Sequence, residues 1–440
     1  MNLTATVTYN TFYRLANIII VYVTIILLSK MAGVAGYGLL SLMVVNATFF
    51  NMVSSFGADS GITYHTANEA IHKGKITTII FIILLAQIVI ISITELLSYN
   101  IMGHFQLFKT GFAIYWWIGC LFLLSISLTE KYTALFSGHY MFSVCNAAVM
   151  ITNLLILLVF FLLFKFFREQ NVIFLAGVYV ALSFFQSLVL MTIFHSRVKG
   201  FFYFERVNRP EVKAFLSFSG IVFLSNVIQF LAYRADYWFM DYFKGGEELG
   251  WYSLASRLVQ IFWILPVLFA GIIFPQVANE KEKYKEYKML SFIRILFVAN
   301  FAGGMMSFFL AQWIIPGMFG EAFSKSILPF QILLPGVILF CPTTILAAYF
   351  AGKGQLRVNL FGSAICFFFV IMSDLMLIPS YGMNGAAVAS SIGYIITSIY
   401  FISVYSRQTK TPLSELFHLQ RADWNDFRAV LYKINLKRNR

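Results

Sequence analysis

The chain has 440 residues, of which 60% are hydrophobic, 18% aromatic and 12% charged, with a formal net charge of +13. Usage this apolar lies far outside that of a soluble domain and fits a polytopic helical bundle. Loops between the apolar stretches are too short to hold a core, which excludes a catalytic domain hung outside the membrane.

Reading for about 17 to 25 apolar residues per helix predicts twelve transmembrane helices and an all-α polytopic protein. The first six cover residues 11–29, 38–56, 76–97, 112–128, 141–164 and 172–194. The second six cover 215–240, 251–274, 290–313, 327–349, 356–378 and 386–404. No small-residue cleavage site separates the polar start from the first stretch, so that stretch is expected to act as its own insertion signal.

Charge sets the orientation. Lys30, Lys109, Lys165, Arg168, Lys244 and Lys325 fall on one side, whereas 22 basic residues fall on the side of the tail, 14 of them in alternate loops, Lys131 included, and eight in the tail itself. The positive-inside rule then puts both termini in the cytoplasm. The net charge is topological, and no nucleic-acid-binding module accompanies it. In the tail, Leu413, Leu416, Phe417, Trp424, Phe427, Leu431 and Ile434 recur at helical spacing, which predicts an amphipathic helix on the inner leaflet.

The long basic loop at 195–213 divides the chain into a bundle over 1–194, a bundle over 214–405 and a basic tail over 406–440. A weak echo supports two related halves: Gly36-Tyr37-Gly38-Leu39 with Ala67-Asn68, against Gly250-Trp251-Tyr252-Ser253-Leu254 with Ala278-Asn279. Pro266 and Pro275 in the eighth stretch and Pro329, Pro335 and Pro342 in the tenth make the second half the one expected to bend. Cys120, Cys145, Cys341 and Cys366 read as small buried hydrophobes, and the scattered histidines have no metal-ligand spacing.

Four arginines, Arg14, Arg234, Arg257 and Arg294, lie within apolar stretches. A guanidinium at mid-bilayer costs about 2.5–3.5 kcal/mol on insertion scales, so such residues face a cavity, a partner or an anion. Arg14 and Arg294 lie near cytoplasmic ends, where snorkelling competes with that reading. On the seventh helix Ser219, Asn226, Gln229, Tyr233 and Asp236 share one face, with Arg234 off it. Arg257 has Ser253, Ser256 and Gln260 nearby, and on the first helix Asn10, Arg14, Asn17 and Thr24 share a face. The candidate substrate-binding set is therefore Arg14, Asn17, Asn226, Gln229, Tyr233, Arg234, Arg257 and Gln260, with an ion-pair network locking the helices as the alternative. Asp236, and less strongly Asp374, are the candidates for coupling to H+ or Na+, although Asp374, like Glu95, is expected near an outer helix end and Asp59 near an inner one. No second carboxylate or metal cluster makes Asp236 an enzyme site.

Leu334-Pro335-Gly336, Ala351-Gly352-Lys353-Gly354 and the run from Leu377-Ile378-Pro379-Ser380-Tyr381-Gly382 through Met383-Asn384-Gly385-Ala386-Ala387 resemble the C-terminal pattern of polysaccharide transporters. Arg234-Ala235-Asp236, Gly250-Trp251-Tyr252, Ile264-Leu265-Pro266, Pro275, Gly36-Tyr37-Gly38 and Ser55-Phe56-Gly57 extend the likeness. The chain resembles the Wzx-type O-antigen flippase group of the multidrug/oligosaccharidyl-lipid/polysaccharide exporter superfamily. That resemblance implies a V-shaped pair of six-helix bundles carrying an undecaprenyl-pyrophosphate-linked oligosaccharide across the bacterial inner membrane, without a cofactor. It also implies membrane lipids and a polysaccharide polymerase and chain-length regulator as partners. Arginines suit a pyrophosphate, and aromatic and polar stripes suit sugars. The rival readings are a drug or cation exporter of the same superfamily, expected to carry acidic residues in its first half, and a membrane polysaccharide polymerase or ligase, expected to carry a large external loop.

Overall fold

The computed structural model describes residues 3–67, 72–101, 113–167, 171–198, 204–278 and 286–412, with residues 415, 419, 420 and 423 of the tail. The expected tail helix at 413–434, the side chain of Glu95, Lys109, Arg168, Lys199 and the Asn68 and Asn279 of the internal echo lie outside the described residues.

Among the described residues the chain is helical throughout, without a strand. Hydrocarbon dictates this, because a helix satisfies its backbone hydrogen bonds within one segment. The order is α1 (Leu3–Ser55), α2 (Ala58–Ala67), α3 (Lys73–Ile101), α4 (Ala113–Gly138), α5 (Phe142–Phe166) and α6 (Val172–Arg197). There follow α7 (Arg209–Lys244), α8 (Gly246–Val259), a 3-10 turn (Gln260–Trp263), α9 (Ile264–Ala278), α10 (Glu286–Phe319), a second 3-10 turn (Glu321–Ser326), α11 (Ile327–Gly352) and α12 (Leu356–Thr409).

Among the described residues eight helical stretches are long and apolar enough to cross a membrane, against the twelve predicted. Part of the difference is local geometry. α1 and α12 each join two helices across one glycine, Gly33 (φ 66°) and Gly382 (φ 56°). Both sit in the left-handed region, which glycine enters without steric cost. At Gly382 the second half of α12 restarts with an unpaired backbone donor. The Glu248 carboxylate on α8 accepts the Met383 N–H at 3.0 Å, satisfying that donor with an anion at a helix N-terminus. The Pro379 to Met383 stretch is thus a kink with its own cap.

The chain forms two compact units, Met1–Val227 and Ile228–Arg440. Their division falls inside α7, downstream of the 195–213 loop that the sequence suggested. The start of α7 packs on the first unit: Phe223 lies against Phe56 with centroids 4.8 Å apart, and Phe215 stacks on His65 at 5.6 Å. That unit's main core gathers Ile62, Ile76, Leu135, Phe136, Leu190 and Phe194. The second unit's core gathers Ile293, Ile345, Leu346, Phe350, Phe401 and Tyr405. Glu211 explains where α7 starts. Its carboxylate accepts the Asn208 N–H at 3.0 Å, three residues back, the reciprocal half of a capping box. The Lys75 ammonium, 2.6 Å away, holds the Glu211 carboxyl below the usual glutamate range, with the Asn208 bond adding to it.

Proline acts where it was expected on the eighth stretch. Pro266 has no N–H for the carbonyl four residues back, Phe262, and the chain tightens into the 3-10 turn there. The Cys341 thiol on α11 approaches that Phe262 carbonyl at 3.6 Å, sharing its proton with Val337 of its own helix at 3.3 Å. Cys341 therefore does more than fill space. α11 itself runs unbroken through Pro335 and Pro342. It lies so close to α12 that a Cβ on Gly336 would sit 2.6 Å from the Ser391 Cα, while the Ser391 hydroxyl donates to the Ile332 carbonyl at 2.7 Å.

This contact gives a test. Gly336→Val should force the two backbones apart and cost about 1–3 kcal/mol, as overpacking does. Thermal unfolding in detergent should show a clear loss, whereas Gly317→Ala, where the added methyl meets nothing within 4 Å, should leave the midpoint unchanged.

Candidate functional site

In the second unit, α7 presents Tyr233, Arg234, Asp236 and Tyr237 to α8 and α12. Asp236 is 2% exposed. Its carboxylate accepts the Tyr252 hydroxyl, the Tyr237 backbone N–H at 2.9 Å and the Ser390 hydroxyl at 3.4 Å. Arg234 and a second carboxyl, Asp374, interact with it through space. Asp374 is fully buried in the first half of α12, and neither of its oxygens has a hydrogen-bond partner among the described residues. The sequence placed Asp374 near an outer end; the fold places it inside the bundle beside Asp236. A carboxylate buried without donors is costly, so this pair is a place where a proton or a cation would be stabilising.

Arg234 sits on the flank of this pair. Its guanidinium donates to the Tyr237 hydroxyl at 3.0 Å and to the Gln260 side-chain oxygen at 3.2 Å, with the Tyr237 ring 5.1 Å away. The guanidinium thus pairs within the bundle. Both partners are neutral, so they orient the charge without cancelling it. Gln260 belongs to the 3-10 turn that Pro266 induces, and half-buried Arg257 lies three residues before it on α8. The rings of Tyr233, Trp263, Phe340 and Tyr394 pack alongside at centroid distances from 5.3 to 6.1 Å. The Trp263 indole N–H has no acceptor among the described residues.

The polar face of α7 is not uniform. Ser219 is fully buried within the first unit, Asn226 and Gln229 are exposed, and Asp236 is buried within the second unit. In the first unit, Asn17 accepts from the Asn153 amide at 2.7 Å. Gln186 donates to Asn153 at 3.2 Å and Thr152 at 2.6 Å, extending a polar chain across α1, α5 and α6. Arg14 is exposed, near Cys145.

Two charged groups differ from the sequence reading. Lys131, counted among loop cations, is fully buried, because α4 continues to Gly138 rather than ending at 128. Its ammonium donates to Ser55 at 3.1 Å, to Gln87 at 3.5 Å and to Ser127. Next to it, Glu130 accepts from Asn51, with Asp59 within hydrogen-bonding reach. The first half therefore holds acidic residues other than Glu95, neutralised in part by Lys131. Ser127 and Lys131 stand one helical turn apart, a spacing that signals continuation of the helix. Arg294, expected to snorkel, is 1% exposed and paired with Asp423 at 3.1 Å.

The profile of a family described as polysaccharide biosynthesis protein matches residues 3–280. The capsular polysaccharide biosynthesis protein CapF of Staphylococcus aureus is 23% identical over 170 residues, a match that spans 37% of this chain and 42% of that protein. Among solved structures, the lipid II flippase MurJ in an inward closed conformation aligns with a TM-score of 0.71 at 15% identity, covering 94% of this chain and 89% of that one. An inward-facing multidrug resistance MATE transporter of the MOP superfamily gives 0.68 at 15% identity, covering 92% and 95%. An outward-facing one gives 0.66 at 14%, covering 94% and 97%. At these identities the solved structures share the fold.

The buried network around Lys131 yields a further expectation. Lys131→Met leaves Glu130 and Asp59 without their cation and should cost about 3 kcal/mol. Adding Glu130→Gln should recover more than half of that loss in thermal unfolding, because the uncompensated charge is removed with its partner.

Proposed function

The chain belongs to the polysaccharide biosynthesis protein family and is a multi-pass membrane protein with a MurJ- and MATE-like fold, and from that premise we propose that it is a flippase for a lipid-linked oligosaccharide. The substrate is an undecaprenyl-pyrophosphate-linked repeat unit of a surface polysaccharide, carried across the cytoplasmic membrane by alternating access. The observation that carries this reading beyond the family is Arg234, a half-buried guanidinium oriented by two neutral partners beside a carboxyl pair. Such a cation keeps its charge for a pyrophosphate, which offers several acceptor oxygens for bidentate pairing. Arg257 lies one turn before Gln260, which fixes Arg234, and Arg14 and Asn17 supply a second charged and polar group in the first unit. Asn226, Gln229, Tyr233 and the half-buried Trp263 offer hydrogen bonds and ring faces to sugar.

Asp236 and Asp374 are the coupling groups in this reading, taking up H+ or Na+ in one state of the cycle. The chain is no enzyme here, and a polymerase and a chain-length regulator would act on what it delivers. The fold is shared with multidrug transporters, so dye efflux is the discriminating assay. Efflux by the wild type without restoration of surface glycan would favour the exporter reading.

In a flippase-deficient strain Arg257→Lys should restore part of the surface glycan and Arg257→Ala at least tenfold less than wild type, a loss of about 1.4 kcal/mol or more in transport free energy. Membrane abundance must be matched; full complementation by the alanine variant would assign Arg257 to packing. Asp236→Asn should abolish the dependence of transport on pH or sodium, and unchanged dependence would remove it from coupling.

The proposed topology has twelve spans in two six-helix bundles with both termini cytoplasmic. Reporter fusions after Lys199, Lys285 and Arg407 should read cytoplasm, and fusions after Lys109, Gly246 and Glu321 the opposite face. Two or more reversed reporters would overturn it.

A further inference from the structure

The buried pair between Arg294 and Asp423 has no part in the transport reading and stands independently of it. Arg294 lies in the third turn of α10, and among the described residues its guanidinium is met from the tail. The Nη1 group contacts the two Asp423 carboxylate oxygens at 3.1 and 3.5 Å, and the Nε–H is accepted by the Glu415 backbone carbonyl. Asp423 is fully buried. The Ser291 hydroxyl, one turn before Arg294, donates to its Oδ1 at 2.7 Å, and the Gln420 backbone N–H donates to its Oδ2 at 2.7 Å.

We propose that the tail segment carrying Glu415, Gln420 and Asp423 is an intramolecular strap, locked onto α10 through Arg294 and Asp423, rather than laid on the inner leaflet. A charge pair withdrawn from water is tolerated when the remaining donors and acceptors of both groups are also satisfied. Here Ser291, Gln420 and Glu415 supply them. The arrangement makes docking all-or-none. Losing either charge strands the other in a buried position, so the strap releases as a unit instead of loosening gradually. A leaflet-bound tail would place its acidic residues toward water and depend on anionic lipid for its basic ones. An aspartate that is 0% exposed, facing an arginine that is 1% exposed, fits the strap and not the leaflet.

Hydrogen–deuterium exchange on the full chain in nanodiscs tests this. The tail peptide carrying the Gln420 amide should be protected equally in pure phosphatidylcholine and with phosphatidylglycerol added. Asp423→Asn and Arg294→Gln should each accelerate its exchange at least tenfold, and the double variant should go no further than either alone. Ser291→Ala, which removes one hydrogen bond and keeps both charges, should accelerate it only a few-fold. Unchanged exchange in α11 and α12 peptides shows that the variants remain folded. Protection that follows phosphatidylglycerol and ignores Asp423→Asn, or single effects that add in the double variant, would overturn the strap.

Discussion

Every polar group taken into hydrocarbon has to find its partner inside the protein, and the features of this molecule follow from that constraint. It makes the chain helical, and it then sets conditions on each departure from a straight helix. The kink at Gly382 exposes the Met383 N–H, and Glu248 meets it. The turn before Pro266 strands the Phe262 carbonyl, and the Cys341 thiol points toward it. These are small interactions, of the order of 1 kcal/mol each, yet without them the break would leave an unpaired group whose cost is larger. A kink in such a protein is therefore a two-helix feature, with the breaker on one helix and the compensating group on another.

Charges obey the same constraint in three different ways. Arg294 is cancelled, charge for charge, by Asp423. Lys131 sits among hydroxyl and amide oxygens with two carboxyls close by, a group that holds α1, α2, α3 and α4 together. Among the described residues Arg234 is oriented by Tyr237 and Gln260, and Asp374 has no hydrogen-bond donor. The first two arrangements are closed, whereas the last two still have interactions to gain. Such a difference separates structural charges from candidates for ligand contact more sharply than burial does, since Arg294 is among the most buried of all these groups.

The sequence carried the helical class and the position of most helices, because apolar length is a strong local signal. It carried Asp236 and Arg234 as well, since a charge within an apolar run is conspicuous. It lost Lys131 because the fourth stretch was ended at 128, where charge begins, although a helix can continue past that point if its neighbours supply oxygen ligands. Ser55 and Gln87, which do so, come from other helices and are invisible to a local window. Asp374 was undervalued for the related reason that depth along one helix says nothing about its lateral neighbour, Asp236. Arg294 was misread because its partner lies in the tail, far along the chain. What stayed hidden in each case was a long-range polar contact.

Arg234 and the carboxyl pair occupy one unit and interact through space, and that proximity has a thermodynamic consequence. Arg234 and Asp236 attract one another, so Asp236 offsets part of the positive charge that Arg234 could present to an anion. A proton or cation taken up at the pair would leave Arg234 less compensated, so an anion would bind there more strongly. By reciprocity an anion on Arg234 would strengthen uptake at the pair by the same factor, with coupling energies typically of about 1–3 kcal/mol. No separate relay is needed between a cation site and an anion site built this way. Arg234 and Asp236 are neighbours on α7, with Tyr252 and Ser390 fixing the carboxylate and Gln260 fixing the guanidinium, so in the proposed cycle the two charges would be coupled by direct electrostatics.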